Sequence, residues 1–438
     1  MKFSIEDLSF FERDVRLRMP FRFGMVTLTE SPQAFVRARI RLEDGREAEG
    51  GAAELLAPKW FDKNPELSNA DNFEQLRASM RKARAAYQPG KSNTAFGHSR
   101  PSVGLVENYG PALIDRALLD ALCRALGISF YEAIRKNIAG LELSSTFLEG
   151  LKPRARIAAR HTVGLVDPIT SLDNRNPVND GLPETLEEVI ARYGHRWFKL
   201  KVGGEVKADV ERLSAIAAVL DGIREPYHAS LDGNEQYADV AEVLDLMKRI
   251  KTEARLKRLA ASIVFIEQPI KRQKALAADI SALAGEKPVI IDESDDSLEA
   301  FPRAKALGYR GVSSKTCKGI YKSLINAARC RAWGGGYFMS GEDLTVQAGL
   351  ALQQDLALVA LLGLTHVERN GHHYVNGMSG LPEEEQKRFL DAHRDLYERS
   401  HGAVRLRIEK GHIRVASLDC PGFASRALPD WEAMRRMN

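Results

Sequence analysis

The period with which hydrophobic and polar positions alternate changes along the chain and marks out its parts. Around residues 33 to 55, apolar and polar side chains alternate through Ala34-Phe35-Val36-Arg37-Ala38-Arg39-Ile40-Arg41-Leu42, pause at Glu43-Asp44-Gly45 and return through a run rich in Glu and Gly. A period of two predicts strands, and Asp-Gly between two such runs predicts a hairpin. From Asn72 to Tyr87 and from Pro111 to Ile134 the apolar residues recur at helical spacing, as at Leu113, Ala117, Leu118, Ala121, Leu122 and Leu126. The first 150 residues therefore read as a small sheet followed by helices, an α+β unit.

Beyond that point short apolar runs alternate with amphipathic stretches. The runs are Arg160–Leu165, Trp197–Val202, His228–Asp232, Ile263–Glu267, Val289–Asp292, Gly311–Lys315, Tyr337–Ser340 and Leu364–Glu368. Segments such as Glu184–Tyr193, Ala208–Leu220, Val240–Ile250 and Lys322–Ala332 carry the helical period between them. Eight strand-then-helix units predict a (β/α)8 barrel, with a doubly wound open sheet as the alternative that gives the same alternation. The tail returns to strand-like alternation at Ala403–Ile408 and His412–Val415 around Lys410-Gly411, which predicts a hairpin that rejoins the N-terminal unit.

Composition narrows the class. The 438 residues are 44% hydrophobic and 28% charged, the balance of a soluble globular chain with more than one core. Lys plus Arg number 63 and Asp plus Glu 59, a formal charge of +4 that is spread along the chain, so nucleic acid is not an expected partner. Cys123, Cys317, Cys330 and Cys420 form no C-x-x-C pair, which predicts neither a zinc site nor a redox dithiol and fits a reducing compartment. The acidic start at Glu6-Asp7 is unlike a signal peptide and no run is long and apolar enough for a membrane span, so a cytoplasmic protein is expected.

The chemistry lies where charges fall within the strand-like runs. Lys199 and Lys201, two apart, share one face of the second strand, and one face of every strand in a closed barrel points into the lumen. Asp232, Glu267 and Asp292 end the third, fourth and fifth runs, and Lys315 ends the sixth. In a parallel barrel these ends emerge at one mouth, where such folds carry their active sites. Singly, a carboxylate after a strand is more often a helix cap, and a lysine can pair structurally. Jointly, three carboxylates from adjacent strand ends would repel without a cation between them. Oxygen-only ligands suit a hard ion, Mg²⁺ first and Mn²⁺ or Ca²⁺ next. The flanking lysines would remove and return protons. His372-His373 read as loop histidines, because a three-carboxylate site does not want imidazole, and Gly334-Gly335-Gly336 reads as a turn.

At these residues the sequence resembles the enolase superfamily, and within it the muconate lactonising (mandelate racemase/muconate lactonising) subgroup. The resemblance runs through Pro20-Phe21-Arg22-Phe23-Gly24, Lys199 to Lys201, Asp232-Gly233-Asn234, Glu267-Gln268-Pro269, Asp292-Glu293-Ser294 and Lys315. The 35-residue gap from Asp232 to Glu267 is long for the family and predicts an extended third helix around Lys251 to Arg258. The resemblance implies an α/β fold, a modified (β/α)7β TIM barrel at 151–385 under an α+β capping domain built from residues 1–150 and a returning C-terminal segment, 386–438. It implies Mg²⁺ ligands at Asp232, Glu267 and Asp292, acid/base groups at Lys201 and Lys315, and an auxiliary cation at Lys199. It also implies Asn234 beside the metal site and a loop around Phe21 and Phe23 closing over the substrate.

The implied reaction is abstraction of the proton α to a carboxylate, giving a metal-stabilised enolate used for racemisation, epimerisation or cycloisomerisation of a small-molecule carboxylate. A lyase outcome (dehydratase or o-succinylbenzoate-type synthase) shares the same half-reaction, and a non-catalytic metal-binding scaffold is the reading from another class. The seventh run carries no histidine of the mandelate type, and His366-Val367-Glu368-Arg369 replaces the Asp-x-Asp of dipeptide epimerases, which argues against a standard dipeptide substrate. Glu342, His366 and Glu368, assigned to the seventh and eighth strand ends, are candidates to face the substrate, with a structural hydrogen-bonding role as the competing reading. The oligomeric state is not readable from the sequence, although barrels of this kind often associate as homo-oligomers.

Overall fold

The computed structural model describes residues 1–87 and 90–437. Three antiparallel strands open the chain: β1 (Phe3–Phe23), β2 (Val26–Leu42) and β3 (Glu47–Leu55). The β2–β3 hairpin turns at Asp44-Gly45 as its sequence requires, with Gly45 at φ +87°. The long β1 is not legible as a strand, because Pro20 and Gly24 suggest a loop there. Phe21 pairs with Leu28 and Phe23 with Val26, so the segment read as a loop is the tip of a β1–β2 hairpin reversing at Gly24-Met25. Phe21 and Phe23 are buried while Pro20 and Arg22 are exposed, the alternation a one-sided strand demands.

The helices Asn69–Ala86 and Tyr109–Leu126 pack on this sheet. Ser68 and Asp71 form a reciprocal capping box at the first. A single helix expected over 111–134 divides at Gly127, which closes Tyr109–Leu126 in a left-handed conformation (φ +66°) before Ser129 caps Phe130–Arg135. Gly50 of β3 lets the second helix approach closely: a Cβ there would lie 2.2 Å from the Ala121 nitrogen and 2.5 Å from the Ala117 oxygen. Both neighbours are backbone and cannot move aside, so Gly50→Ala is expected to destabilise the protein by about 1–3 kcal/mol or more. A urea titration unchanged from the parent would contradict this contact.

Eight parallel strands follow: β4 (Arg156–Val163), β5 (Trp197–Lys201), β6 (His228–Asp232), β7 (Ile263–Glu267), β8 (Val289–Ile291), β9 (Gly311–Ser314), β10 (Phe338–Gly341) and β11 (His366–Arg369). They pair in sequence order, and β11 pairs with β4 from His366↔Ala158 to Arg369↔His161, so the sheet is a closed barrel and the open-sheet alternative falls. The β6–β7 connection is extended as expected: helix Val240–Thr252 is followed by a 3-10 turn, Ala254–Leu256, and a second helix, Lys257–Ser262. Only the short helix Gly371–Tyr374 directly follows β11. Among the described residues no helix is long and apolar enough to cross a membrane.

The C-terminal hairpin is a correction. Its two halves separate: β13 (Ala403–Leu406) pairs with β12 (Tyr397–Ser400), and β14 (His412–Arg414) runs antiparallel to β4. Lys410 and Gly411, both at positive φ, do reverse the chain. The next strand nevertheless bonds to Arg156–Ala158, the first residues of β4, whose hydrogen-bonding groups a hairpin would leave unpaired. The chain then returns to the cap, where Phe423 stacks on Phe130 at 3.9 Å and β15 (Arg435–Met437) adds to β1.

Candidate active site

Parallel strands bring their C-terminal ends to one mouth, and the pairing places the predicted residues on one rung. Lys201 lies opposite Asp232, and Asp232 opposite Glu267. Lys199, one inward position deeper, is 1% exposed and surrounded by acids. Its Nζ lies 2.9 Å from Asp232 Oδ2, 2.9 Å from Glu267 Oε2, 2.8 Å from Glu342 Oε2 and 3.0 Å from Glu368 Oε2. Burial opposes the charged ammonium, but the four carboxylates outweigh it and hold Lys199 well above its ordinary pKa. It is a fixed cation.

Lys201 donates to Asp232 Oδ2 at 2.6 Å and to Asn234 Oδ1 at 2.7 Å. Lys199 and Lys201 therefore share one carboxylate oxygen, which places the two ammonium groups side by side. Lys315 donates to Asp292 Oδ2 at 2.6 Å and lies 4.2 Å above the Trp60 ring. β5 and β9 are the second and sixth of eight strands, so Lys201 and Lys315 approach from opposite walls. Both line one cavity, with Asn234, Glu368, Phe21, Phe23 and Trp60. Its free space of about 20 Å³ holds roughly one water. A substrate larger than water needs a wider cavity, whose wall includes the β1–β2 tip with Phe21 and Phe23 and the loop with Trp60.

The three predicted metal ligands are fully buried. Burial and the neighbouring charges of Asp232 and Glu342 push Glu267 well above the ordinary carboxylate range despite Lys199. For Asp292 burial is outweighed by Lys315, Lys318 and Lys199, which hold it well below that range. Glu267 Oε2, though near Lys199, accepts no well-directed hydrogen bond, and Glu293 Oε2 is likewise buried without a partner. Three buried carboxylates are chemically the all-oxygen donor set that a hard divalent cation such as Mg²⁺ takes. In this arrangement, however, only Glu267 of the three keeps an oxygen without a donor, the Asp232 and Asp292 oxygens being bonded to Lys201, Lys315, Ser313 and the Asn234 backbone.

The strand-end candidates divide. Glu368 lines the cavity and accepts from Thr162 Oγ1 at 2.7 Å. Glu342 lies beneath it, binding Lys199 and the buried Arg160, and does not line the cavity. His366 is a correction: it opens β11 instead of ending it, so it sits at the opposite mouth, stacked on Trp197 at 4.0 Å and bonded to Arg160. The observed strand starts two residues later than the apolar run, which moves His366 from its middle to its first position.

Sequence reasoning also missed the residues that tie the cap to the barrel. Lys63, in the loop after β3, contacts Glu235 at 2.6 Å, Glu293 at 3.0 Å and the Asn234 carbonyl at 2.6 Å. Arg272 donates to the Trp60 and Phe61 carbonyls and pairs with Glu235. No local pattern announces them, because the contacts that tie Lys63 to the barrel and Arg272 to the cap span about 170 or more positions. Lys318 was findable: it stands one 3-10 turn beyond Lys315 and contacts Asp292 Oδ1 at 3.3 Å and Asp295 at 3.2 Å.

A closed eight-stranded barrel with a charged C-terminal mouth, lidded by a sheet-and-helix cap built from both chain ends, defines a capped (β/α)7β-barrel protein. The family described as enolase C-terminal domain-like matches residues 181–426, more than half of the chain. The chain belongs to the enolase superfamily, in its mandelate racemase/muconate lactonizing subgroup. No curated protein sequence matches it. Among solved structures it is similar to the 2-chloromuconate cycloisomerase of Rhodococcus opacus (19% identity, TM-score 0.64, 97% of each chain covered). It is also similar to the N-succinyl Arg/Lys racemase of Bacillus cereus (18%, TM-score 0.65, 98% of this chain and 96% of that one). The L-Ala-D/L-Glu epimerase of Bacillus subtilis shares the fold at 14% identity (TM-score 0.64, 97% of this chain and 99% of that one).

Proposed function

We propose that the protein is a Mg²⁺-dependent isomerase that removes and returns the proton α to the carboxylate of a small organic acid. The observation that carries this reading is the pair of amines on opposite walls of one cavity, Lys201 held by Asp232 and Lys315 by Asp292. A hydrogen next to a carboxylate is a very weak acid, since its loss adds a second negative charge to the same group. A divalent ion held by Asp232, Glu267 and Asp292 would supply positive charge where that negative charge develops.

The chain's own groups do the rest. Lys199, pinned as an ammonium, shares Asp232 Oδ2 with Lys201 and so sets a fixed positive charge beside the Lys201 amine at the cavity wall. Asn234 orients the Lys201 amine through its Oδ1. Lys315 on the far wall, paired with Asp292, can deliver a proton to the other face of the planar enolate and so invert the carbon, and in the reverse direction removes it. Phe21, Phe23 and Trp60 give the cavity an apolar wall that limits the water reaching the amines. Cycloisomerisation uses the same geometry in a substrate that carries an internal nucleophile or leaving group.

Incubating the protein with Mg²⁺ and a panel of carboxylic acids in D₂O, with α-hydrogen exchange followed by NMR, tests the reading. Exchange together with an isomer of unchanged mass is expected; loss of water would replace the isomerase with a lyase. An active substrate whose turnover survives both Lys201→Ala and Lys315→Ala would overturn the assignment.

A further inference from the structure

A second cluster of ligating side chains lies outside the barrel lumen. Along β4, Arg160 and Thr162 point inward to Glu342 and Glu368, so His161 between them points outward. There it meets His195, just ahead of β5, and His372, in the short helix after β11, with ring centroids 5.3 Å and 5.6 Å away. The sequence reading of His372 as a loop histidine is thereby corrected: both its ring nitrogens are buried. One nitrogen from each of the three lies within 4.8 Å of the others.

The hydrogen bonding of these rings is incomplete. His161 Nδ1, His195 Nε2, and both nitrogens of His372 are buried without a partner. Each such polar atom costs on the order of 1–3 kcal/mol, so the cluster calls for a ligand, and one ion taking one nitrogen per ring would satisfy three of the four. His195 is also set in the required tautomer. Its Nδ1 lies 3.0 Å from the Ala159 carbonyl, which can only accept, so the proton is on Nδ1 and the Nε2 lone pair faces the cluster. Burial holds all three imidazoles below their ordinary pKa, His195 at about 4, and therefore in the neutral form a metal binds.

We propose that His161, His195 and His372 form a structural site for a borderline divalent metal, Zn²⁺ first, which clips together β11, β4 and β5 at the seam where the barrel closes. Imidazole selects such an ion over Mg²⁺, so the site is chemically distinct from the carboxylate cluster in the lumen. Tetrahedral Zn–N bonds require nitrogens about 3.3 Å apart. The rings must close by roughly an ångström or more, a movement that His372, on a four-residue helix outside the sheet, would supply. A fourth ligand, water or an anion, would have to reach the ion past His372, which also lines a small cavity with Tyr193, Glu398 and Arg405. Because His372 joins segments that lie roughly two hundred positions earlier in the chain, the bond would stabilise the closed barrel by constraining a long loop.

The test uses the full chain, stripped with chelator and equilibrated with Zn²⁺ in excess Mg²⁺, which competes for the carboxylates. One Zn²⁺ per chain is expected, with a rise in Tm, and Co²⁺ in its place should show the intense visible absorption of a tetrahedral, nitrogen-rich site. His372→Gln should weaken Zn²⁺ binding roughly 100-fold or more and abolish the rise in Tm. Asp292→Asn should leave both intact. Absence of stoichiometric Zn²⁺ on the parent chain, a weak octahedral Co²⁺ spectrum, or binding lost with Asp292→Asn and kept in His372→Gln would each overturn the site. These readouts do not involve turnover, so they stand or fall separately from the isomerase reading.

Discussion

Replacing Lys199 with Met is expected to destabilise the protein by at least about 3–5 kcal/mol at pH 7, the range for breaking a buried ion pair by removing one partner. The side chains are similar in length, so the effect isolates the charge. Lys199 is the common partner of Asp232, Glu267, Glu342 and Glu368, all buried. Without it, Glu342 keeps Arg160 and Asp232 keeps Lys201, but Glu267 and Glu368 lose their ion-pair partner.

The loss should depend on pH, with a definite sign. Glu267 already lies above the ordinary carboxylate range, and removing Lys199 raises it further and lifts Asp232 and Glu368, which Lys199 helps to hold below that range. A group with a raised folded-state pKa binds protons that the unfolded chain has released, so its contribution is intact below the unfolded value near 4.5 and is lost as pH rises through the folded value. The variant should therefore be closest to the parent near pH 5 and furthest from it near pH 8. Urea titrations of both proteins at the two pH values measure this, and equal differences at both would show that Lys199 does not neutralise the cluster.

Lys201→Ala and Lys315→Ala are each expected to lower α-hydrogen exchange by about 10²–10⁴-fold, the usual contribution of a positioned acid or base. The facing arrangement makes the loss one-sided. With Lys201 gone, exchange should persist only in the stereoisomer whose hydrogen faces Lys315, and the reverse should hold for Lys315→Ala. Neither change should unfold the protein. Asp232 keeps Lys199, and Asp292 keeps Lys318 and Ser313. Stereoisomer-resolved exchange by NMR is the measurement. Symmetrical loss for both isomers in both variants would mean that the amines do not act as separate faces.

The barrel was largely readable from the chain because its signals are local. A strand such as Ile263–Glu267 is an apolar run closed by an acid, and its limits in sequence and in space coincide. His228–Asp232 coincides equally. Charges at the ends of apolar runs marked Lys199, Lys201, Asp232, Glu267, Asp292 and Lys315 for the same reason: a charge in a stretch otherwise built for burial must be paired or used. Errors cluster where local signals conflict or tie. Pro20 and Gly24 hid the hairpin tip that carries Phe21 and Phe23. Two successive turns at positive φ, His401-Gly402 and Lys410-Gly411, left the tail's pairing open, and only the unpaired start of β4 resolved it. A two-residue shift in β11 moved His366 to the far mouth.

By itself, then, the sequence determined the alternation of strands and helices, the charged mouth of the barrel and the family. Periodicity and buried charge are properties of neighbouring residues. Closure of the sheet through β11 and β4, the four acids gathered around Lys199, the reach of Lys63 from the cap to Glu293, and the outward cluster of His161, His195 and His372 were decided only in three dimensions. Each joins segments far apart in the chain, and which distant partners meet depends on how the whole core packs, which no local pattern encodes.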